Sequence, residues 1–399
     1  MKKYIILLIG LSVMVFGGFY LSLTGCNMPQ LKYVGNKPPE NAPDIAADLV
    51  YGYKLIHVGE LFPDIALKAP GNQQDRSYLG LGLTSDATFS IKDIQTDLVL
   101  VEMLNIHCVP CREQAPVYNN LFELIEAGAS SKDRIKMLAV GVGNNEEEIK
   151  CFREKYKIPF PVIADQRLEL HEAIGEPHSP FSVLVRLKKD SDVAMVALTY
   201  SKINEKHEVL YQDMMALKTL NFAVFRKRGV QTKTKVNTIA PPQPQSEIVA
   251  QIKDAMTKVS DSDDNFTEFR KLSIEGRHVY TGVKEGRKGS KRLFAEEISR
   301  PSICNVCHDV HFFYIFNKKG AVLEFVPLQV TKWGNKEWSK EDVQLMRERL
   351  VGRFIFTPFY FNPQLDAVTS ATISSVVIFD GLSQGKQLFE LLKQKGLVL

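Results

Sequence analysis

Apolar runs of strand length alternate with stretches of helical apolar spacing over the first two thirds of the chain. The runs predict strands over residues 65–67, 98–106, 135–142 and 158–165. A helix is predicted after the second run, with Val117, Leu121, Leu124 and Ile125 on one face. Another is predicted over 144–156, with Asn145 as its N-cap. Strands alternating with helices are typical of an α/β layer.

The pattern changes near residue 229. Residues 229–246 are rich in Thr and Pro and lack an apolar period, so they are predicted to be a linker. An amphipathic helix is predicted over 247–259, followed by a hairpin over 312–326. A last helical run is predicted from Val376 towards Leu392, with an interruption at Gly381 or Gly385.

The N-terminus has the pattern of a targeting segment. Lys2 and Lys3 precede an apolar run over 4–23, which ends in Leu-Thr-Gly-Cys26. This pattern predicts a signal peptide over 1–25 and resembles a bacterial lipobox, in which Cys26 would be lipidated. An uncleaved membrane anchor is the alternative, since about 20 apolar residues span a bilayer. We therefore expect an extracytoplasmic lipoprotein, on the periplasmic side or the cell surface, with the Pro-containing segment 26–56 as its tether.

The composition is that of a globular protein, and the length is sufficient for two domains. The chain has 399 residues, of which 45% are apolar and 24% are charged. Its net charge of +4 does not indicate nucleic-acid binding. The patterns place one domain at 57–228 and a second at 247–399.

The strongest chemical motif is Cys108-Val-Pro-Cys111, which lies where the strand over 98–106 turns into a helix. Unpaired N–H groups and the helix dipole favour a thiolate there, so a lowered cysteine pKa is expected. Two intervening residues let both sulfurs meet on the first helical turn. The pattern favours redox chemistry over a zinc half-site or a structural disulfide.

This stretch resembles the thioredoxin-like proteins, especially redoxin-type extracytoplasmic thiol–disulfide oxidoreductases, over residues 57–220. The resemblance implies that Cys108 attacks a partner disulfide and that Cys111 resolves the mixed disulfide. Pro116 matches the proline that kinks the active-site helix, and Glu102 a buried acid that passes protons to the resolving cysteine. His107 is a departure, because members usually carry Trp there.

The family also carries a cis-proline that faces the cysteine pair. Pro180, directly before an apolar run, is the chosen match, and Pro177 is the alternative. The resemblance implies that Ser179 presents its backbone to the extended chain of a partner. Peroxidase chemistry is not expected, since it needs an isolated attacking cysteine. Cys151, in the helix over 144–156, is expected to be a small core residue.

A second motif, Cys304-Asn-Val-Cys307-His308, lies in the second domain. Cys-x-x-Cys-His is the attachment signature of c-type haem, with the histidine as iron ligand. The following residues predict a strand, whereas haem motifs usually lie on a helix. A second redox dithiol, or a metal site made with His308 and His311, therefore stays open beside haem.

The third motif is Asp366-Ala-Val-Thr369-Ser370-Ala371-Thr372, just before the last helical run. Over about 275–385 the chain resembles the FMN-binding domain of respiratory flavoproteins, whose motif is Asp-x-x-Ser/Thr-Gly-Ala-Thr/Ser. The resemblance implies that FMN is attached covalently at Thr372, with Asp366, Thr369 and Ala371 on motif positions. Ser370 departs from the family's Gly. A plain helix cap is the alternative.

These observations predict an α/β thioredoxin-like domain followed by a smaller α+β FMN-binding-like domain. The expected function is a membrane-tethered thiol–disulfide oxidoreductase, whose Cys108/Cys111 pair exchanges electrons through the second domain, by flavin or through Cys304 and Cys307. One alternative is a haem- or flavin-based electron carrier whose first domain only docks partners. Another is a thiol reductase for cytochrome c maturation. The expected partner is a disulfide-bearing or electron-transfer protein, with no resident metal.

Overall fold

A computed structural model of the chain describes residues 51–82, 84–128, 134–188, 193–204, 206–217, 236–260, 266–274, 276–286 and 289–398. The predicted signal peptide over 1–25, the lipidation site Cys26 and most of the tether over 26–56 lie outside these residues. All described residues belong to one compact unit. Among them, no helix is both long and apolar enough to cross a membrane.

The first half of the described chain is a layered α/β structure. Its elements are β1 (Tyr51–Lys54), β2 (Leu67–Lys68), α1 (Gln73–Tyr78), β3 (Thr88–Phe89), β4 (Leu98–Leu104), α2 (Val109–Ala127), β5 (Ile135–Val142), α3 (Glu146–Tyr156), β6 (Val162–Asp165), α4 (Glu169–Ala173), β7 (Phe181–Lys188), β8 (Val193–Tyr200) and α5 (His207–Leu217). The central sheet has the order β6-β5-β4-β7-β8. β4, β5 and β6 are parallel, while β7 and β8 are antiparallel to their neighbours.

Most strands and helices of this half confirm the predicted pattern. Every residue of β4 and β5 is buried, which is why both are mostly apolar, with only Glu102 and Lys136 as charged exceptions. The strand predicted over 158–165 begins only at Val162, because Pro159 and Pro161 cannot donate a ladder hydrogen bond. Asn145 caps α3 as predicted, accepting a hydrogen bond from Glu148 N.

The buried face of α2 differs in part from the predicted one. Leu121 and Ile125 are buried, but Val117 and Leu124 are half-buried. The largest side chain on the buried face is Tyr118, whose hydroxyl forms a hydrogen bond with Ser182 Oγ. A polar-tipped aromatic residue is buried when its hydroxyl finds a partner, which the helical spacing alone does not show.

The second half is an antiparallel sheet with helices. Its elements are β9 (Val236–Ile239), α6 (Gln245–Lys258), β10 (Glu268–Ile274), β11 (Arg277–Gly286), β12 (Gly289–Arg300), β13 (Val310–Asn317), β14 (Val322–Gln329), β15 (Thr331–Lys332), β16 (Lys336–Glu337), α7 (Lys340–Leu350), α8 (Thr372–Ser383) and α9 (Gly385–Gln394). The strands β10 to β14 form a five-stranded meander in chain order. The hairpin predicted over 312–326 is confirmed as β13 and β14.

Two sets of buried side chains hold this sheet. On one side, Ile248, Ile252 and Met256 of α6 are fully buried against the strands, as their helical spacing predicted. On the other side, one cluster of buried apolar residues includes members of both halves, from Val196 of β8 to Phe379 of α8. The two halves therefore share a continuous core.

The segments predicted to be tether and linker contain regular structure. β1 lies in the predicted tether, β9 lies in the predicted linker over 229–246, and the two strands pair antiparallel. A strand of four residues has too few positions to show a period, and its hydrogen-bond partner lies far away in sequence. The first half is thereby tied to the segment that leads into the second.

The turn after α4 supports β1 and needs a glycine. Gly175 has a φ of +89°, and a Cβ at this position would lie 2.0 Å from the carbonyl oxygen of Lys54. Ile56 N donates to Ile174 O at 3.0 Å beside it. Only a residue without a side chain lets the two backbones approach this closely.

Gly175→Ala should therefore lower the free energy of unfolding by about 3 kcal/mol, through left-handed strain together with the clash. Gly276→Ala is the matched control, because Gly276 has a φ of +68° but no atom within 4 Å of its added Cβ. The control should lose only about 1 kcal/mol. Urea denaturation measures both losses. Equal losses in the two variants would contradict the close approach.

Candidate functional site

The first cysteine pair lies at the start of α2, in a loop held by asparagine side chains. Cys108 is the N-cap of α2 and Cys111 lies in its first turn. Cys108 N donates to Asn105 O at 3.0 Å, and Ile106 N donates to Asn144 Oδ1 at 3.0 Å. Both cysteines carry free thiols and are almost fully buried. The strand-to-helix position predicted for this motif is confirmed.

Pro180 lies beside this pair. The Ser179–Pro180 peptide bond is cis, the conformation expected at this position. The sulfur of Cys108 is 3.5 Å from the carbonyl oxygen of Ser179. Pro177, the alternative, instead has its carbonyl oxygen 3.0 Å from His171 Nε2. Pro180 is therefore the proline whose neighbour contacts the Cys108 sulfur.

The second cysteine pair meets the first. Cys304 and Cys307 lie in the loop between β12 and β13, and the Cys304 sulfur is 3.4 Å from the Cys108 sulfur. Cys304 is fully buried, whereas Cys307 is half-buried. Both motifs are visible in the sequence, but nothing in the sequence predicted that they face each other. Two dithiols in van der Waals contact have the arrangement that disulfide exchange requires.

Backbone pairing holds the second pair in place. Ser179 N donates to Ile303 O at 2.6 Å, and Ser179 forms a parallel β-bridge with Cys304. The carbonyl oxygen of Ser302 lies 2.6 Å from His178 Nδ1 and accepts its hydrogen bond. The resemblance to thioredoxin-like proteins implies that Ser179 holds the extended chain of a partner. Here a loop of the same chain occupies that position.

The loop around Cys304 and Cys307 is a defined turn. Cys307 N donates to Cys304 O at 3.1 Å, which closes the turn. Asn335 Nδ2 donates to Val306 O at 3.1 Å, and Asn335 Oδ1 accepts from His308 N at 3.1 Å. Asn335 thus fixes the outer side of the turn from a different segment of the chain.

A partly buried charge cluster joins the two halves next to this loop. Arg300, at the end of β12, contacts Glu172 at 2.9 Å and Glu176 at 3.0 Å in the first half, and Asp380 at 2.6 Å on α8. Burial raises the pKa of Glu176 and of Asp380, while the guanidinium opposes both shifts. The sequence did not single out Arg300, because one arginine at a strand end has no local signature.

Two further contacts bring the halves together. Gln166 Nε2 donates to the carbonyl oxygen of Phe361 at 2.9 Å. A Cβ on Gly143, which follows β5, would lie 2.6 Å from Val376 on α8. The second half is therefore docked on the first along several elements, and not only at the cysteines.

The four sulfurs have unequal proton affinities. Hydrogen bonds from Cys108 and Cys307 lower the pKa of Cys304 to about 4. Burial raises the pKa of Cys108, and its hydrogen bonds to the neighbouring thiols add to the shift. The lowered pKa expected for Cys108 at a helix start is thus wrong for this docked arrangement, because the second half covers the sulfur. In the fully reduced chain, the coupling between these thiols therefore favours the negative charge on Cys304 over Cys108.

Glu102 lies inside the sheet on β4. It is 3% exposed, and burial raises its pKa to about 8. The carboxyl is therefore protonated at neutral pH and can hold a proton. Proton transfer between Glu102 and Cys111 stays a prediction.

The geometry does not fit a haem at Cys304, Cys307 and His308. A porphyrin thioether at Cys304 would need the space that the Cys108 sulfur fills, and His308 is exposed. His311 is instead buried on β13, with Nδ1 2.8 Å from Ser299 Oγ. Within the described ranges, no group of three or more His, Cys, Asp or Glu side chains is placed to hold a metal ion.

The flavin motif lies at the start of α8. Ser370 has a φ of +60°, the left-handed conformation that the family's glycine would favour, and Thr372 is the first residue of the helix. The backbone thus suits the motif despite the serine. A cavity of about 610 Å³ adjoins α8. The first α8 residue in its lining is Val376, and Thr372 is not part of the lining. Attachment of FMN at Thr372, with Asp366 and Thr369, stays a prediction.

Cys151 differs from its predicted role. It lies half-buried on α3, so it is not the core residue that the sequence predicted.

Comparisons with known proteins agree with the first half of the fold. Residues 58–197 match the AhpC/TSA family. These residues form a thioredoxin-like redoxin domain. Thiol-disulfide oxidoreductase ResA of Geobacillus thermodenitrificans is 27% identical over 132 residues, covering 33% of this chain and 64% of that protein. ResA of Halalkalibacterium halodurans is 20% identical over 98 residues, covering 25% of this chain and 53% of that protein.

The chain thus spans between about half and just under two thirds of the curated relatives that it matches. Among solved structures, a thiol:disulfide interchange protein DsbE from Chlorobium tepidum is 20% identical, with a TM-score of 0.32. That likeness covers 41% of this chain and 99% of the other. StoA from Bacillus subtilis is 16% identical, with a TM-score of 0.28, covering 38% of this chain and 97% of StoA.

The buried Glu102 generates a pH prediction. Its folded-state pKa of about 8 exceeds the ordinary 4.5, so the folded chain binds a proton that the unfolded chain releases between these values. Its contribution should make the free energy of unfolding fall as pH rises from 5 to 8. Glu102→Gln should reduce that fall, as measured by urea denaturation at several pH values. Glu147→Gln, at an exposed site on α3, should leave the slope unchanged. Identical slopes in all three proteins would refute the buried proton.

The Arg300 cluster generates a second prediction. Arg300→Met leaves three carboxylates without their cation and should lower the free energy of unfolding by about 3–5 kcal/mol. It should also free Cys108, raising its maleimide labelling rate about tenfold or more.

Arg277→Met is the matched control. Arg277 pairs with the buried Glu296 at 2.6 Å wholly inside the second half. This variant should lose similar stability but keep Cys108 shielded. If both variants expose Cys108 equally, the Arg300 cluster is not what holds the halves together.

Proposed function

We propose that this chain is an extracytoplasmic thiol–disulfide oxidoreductase in which two dithiols exchange electrons within one molecule. The observation that carries the proposal is the 3.4 Å contact between the sulfurs of Cys108 and Cys304. A disulfide joins sulfurs at about 2.05 Å, so a closure of only about 1.4 Å would bond them. The similarity of the first half to thiol-disulfide oxidoreductases supports the same activity.

The exchange follows ordinary thiol–disulfide chemistry. When Cys108/Cys111 is a disulfide and Cys304/Cys307 is reduced, the Cys304 thiolate attacks Cys108 Sγ and Cys111 leaves as a thiolate that takes up a proton. Cys307 then loses its proton and attacks Cys304 Sγ, which releases Cys108. Two electrons have moved from the second pair to the first. The reverse sequence moves them back.

The chain's own residues prepare this exchange. Ser179 and His178 hold the loop by its backbone, so the Cys304 sulfur stays aligned with Cys108. In the fully reduced chain, hydrogen bonds from Cys108 and Cys307 lower the pKa of Cys304. When Cys108 is oxidised, the hydrogen bond from Cys307 remains and favours Cys304 as the attacking thiolate. A protonated Glu102 would supply or take the proton of Cys111, as the resemblance to thioredoxin-like proteins implies.

The compartment is part of the proposal. The N-terminal pattern over 1–26 supports export and lipidation at Cys26, which would place the dithiols where disulfides persist. The reduced Cys108/Cys111 pair would then act on the disulfide of a protein partner in that compartment.

Trapping the mixed disulfide tests the proposal. Cys111→Ser together with Cys307→Ser removes both resolving thiols and leaves the facing sulfurs. Mild oxidation of this protein should link Cys108 to Cys304 within one chain in most molecules, since the reaction partners are already in contact. Peptide mass spectrometry would detect the link between the peptides of the two motifs.

Cys108→Ser together with Cys307→Ser is the matched control. It keeps Cys111 and Cys304 but removes the Cys108 sulfur that lies against Cys304, so it should give little intramolecular link. A link of equal yield in the control, or none in the first variant, would overturn the relay. Reduction of a disulfide-bridged peptide by the unmodified protein tests the oxidoreductase activity itself.

A further inference from the structure

The four sulfurs of the site differ in their access to solvent. Cys108 and Cys304 are 0% exposed and Cys111 is 1% exposed, whereas Cys307 is half-buried. Cys108, which the resemblance assigns to the attack on outside partners, is covered by the chain's own loop. An external group thus reaches the docked site by a different sulfur.

The surroundings of Cys307 leave that approach open. Its neighbours Asn305 and His308 are exposed, and Val306 is half-buried. Asn335 fixes the turn through Val306 O and His308 N, so Cys307 keeps its half-buried position while Cys304 contacts Cys108. One end of the second dithiol therefore faces outward and the other faces inward.

We propose that Cys307 is the residue at which an external dithiol donates electrons to this protein, while the two halves are docked. The inference rests on the proposed exchange between the two pairs and assigns its outward-facing step. The donor class is a dithiol protein or peptide whose cysteine lies on an accessible loop.

The second pair begins as a Cys304–Cys307 disulfide. A donor thiolate attacks Cys307 Sγ, the Cys304–Cys307 bond breaks, and Cys304 leaves as a thiolate. The donor's second thiol loses its proton and attacks the donor sulfur in the mixed disulfide, which releases Cys307. Cys307 takes up a proton, and the donor ends as a disulfide. Two electrons have entered the second pair, and Cys304 now faces Cys108.

The chemistry of the two sulfurs favours this direction. A thiol with a low pKa is the better leaving group in disulfide exchange. With Cys108 reduced, its hydrogen bond lowers the pKa of Cys304, which makes Cys304 a good leaving group when the Cys304–Cys307 bond breaks. An attack at the outward sulfur therefore expels the better leaving group inward, to the position from which it attacks Cys108.

Pulse labelling of the unmodified, fully reduced chain tests the access that the inference requires. A short exposure to maleimide, followed by acid quenching and tandem mass spectrometry, gives the labelling rate of each cysteine. Cys307 should label about tenfold or more faster than Cys108, Cys111 and Cys304. If Cys108 labels as fast as Cys307, the inference is wrong. This result does not depend on the trapped Cys108–Cys304 link, so the two proposals fail separately.

A kinetic test uses the double variant Cys304→Ser and Cys307→Ser. In the oxidised form, only the Cys108–Cys111 disulfide remains at the site, and it is still covered by the loop. A synthetic peptide with a Cys-x-x-Cys dithiol should reduce it about tenfold or more slowly than in the unmodified chain. Reduction at an unchanged rate would mean that donors reach Cys108 directly and would overturn the inference.

Adding Arg300→Met to the double variant separates blocked access from misfolding. Undocking should expose Cys108 and restore reduction by the peptide to at least the rate of the unmodified chain. Adding Arg277→Met instead should leave reduction slow. If Arg300→Met fails to restore the rate, the loop is not what shields Cys108, and the inference falls.

Discussion

One backbone hydrogen bond, from Ser179 N to the carbonyl oxygen of Ile303, aligns the two cysteine motifs of this chain. It sets the loop of the second half parallel to the segment before Pro180, and this alignment brings the sulfur of Cys304 against that of Cys108. Main-chain pairing of this kind gives affinity without requiring particular side chains. The site's chemistry depends on this register, because a shift by one residue would turn Cys304 away from its partner.

The charge cluster around Arg300 contributes differently. One guanidinium faces Glu172, Glu176 and Asp380, so the partly buried cluster has an excess of acidic groups. Desolvation makes such clusters poor sources of net stability, although removal of the cation leaves buried charges uncompensated. The cluster therefore orients the second half on the first more than it strengthens the complex. A cluster of low net stability is compatible with separation of the two halves when a partner binds at Cys108.

The sequence predicted the local elements well and their meeting not at all. Three kinds of local signal are confirmed. They are the mostly apolar runs of β4 and β5, the N-cap at Asn145, and the helical spacing of Ile248, Ile252 and Met256. Both Cys-x-x-Cys motifs were also local. Their contact, the ion pairs of Arg300 and the pairing of β1 with β9 join residues that are distant in sequence. Contacts between residues that are distant in sequence produce no local periodicity, so the sequence could not predict these pairs.

The same limit explains one wrong expectation and one open question about individual cysteines. The expected low pKa of Cys108 followed from its place at a helix start, but the second half buries its sulfur and reverses the effect. Haem remained open at Cys304 while its surroundings were unknown. Once a neighbouring sulfur fills the space beside it, a dithiol role fits and a porphyrin does not.

The loop that fills the groove beside Pro180 also changes how this protein would choose its partners. A segment tethered to the same chain is present at an effective concentration on the order of millimolar or more, whatever the protein's abundance. Any outside chain that uses the Ser179 backbone must compete with it. A weakly binding, unselective disulfide substrate would rarely win this competition, whereas a partner with additional contacts on the domain would. A partner must therefore bind more tightly than the loop in order to displace it. Although the groove beside Pro180 binds the backbone of any extended chain, this competition makes the protein selective for partners with additional contacts.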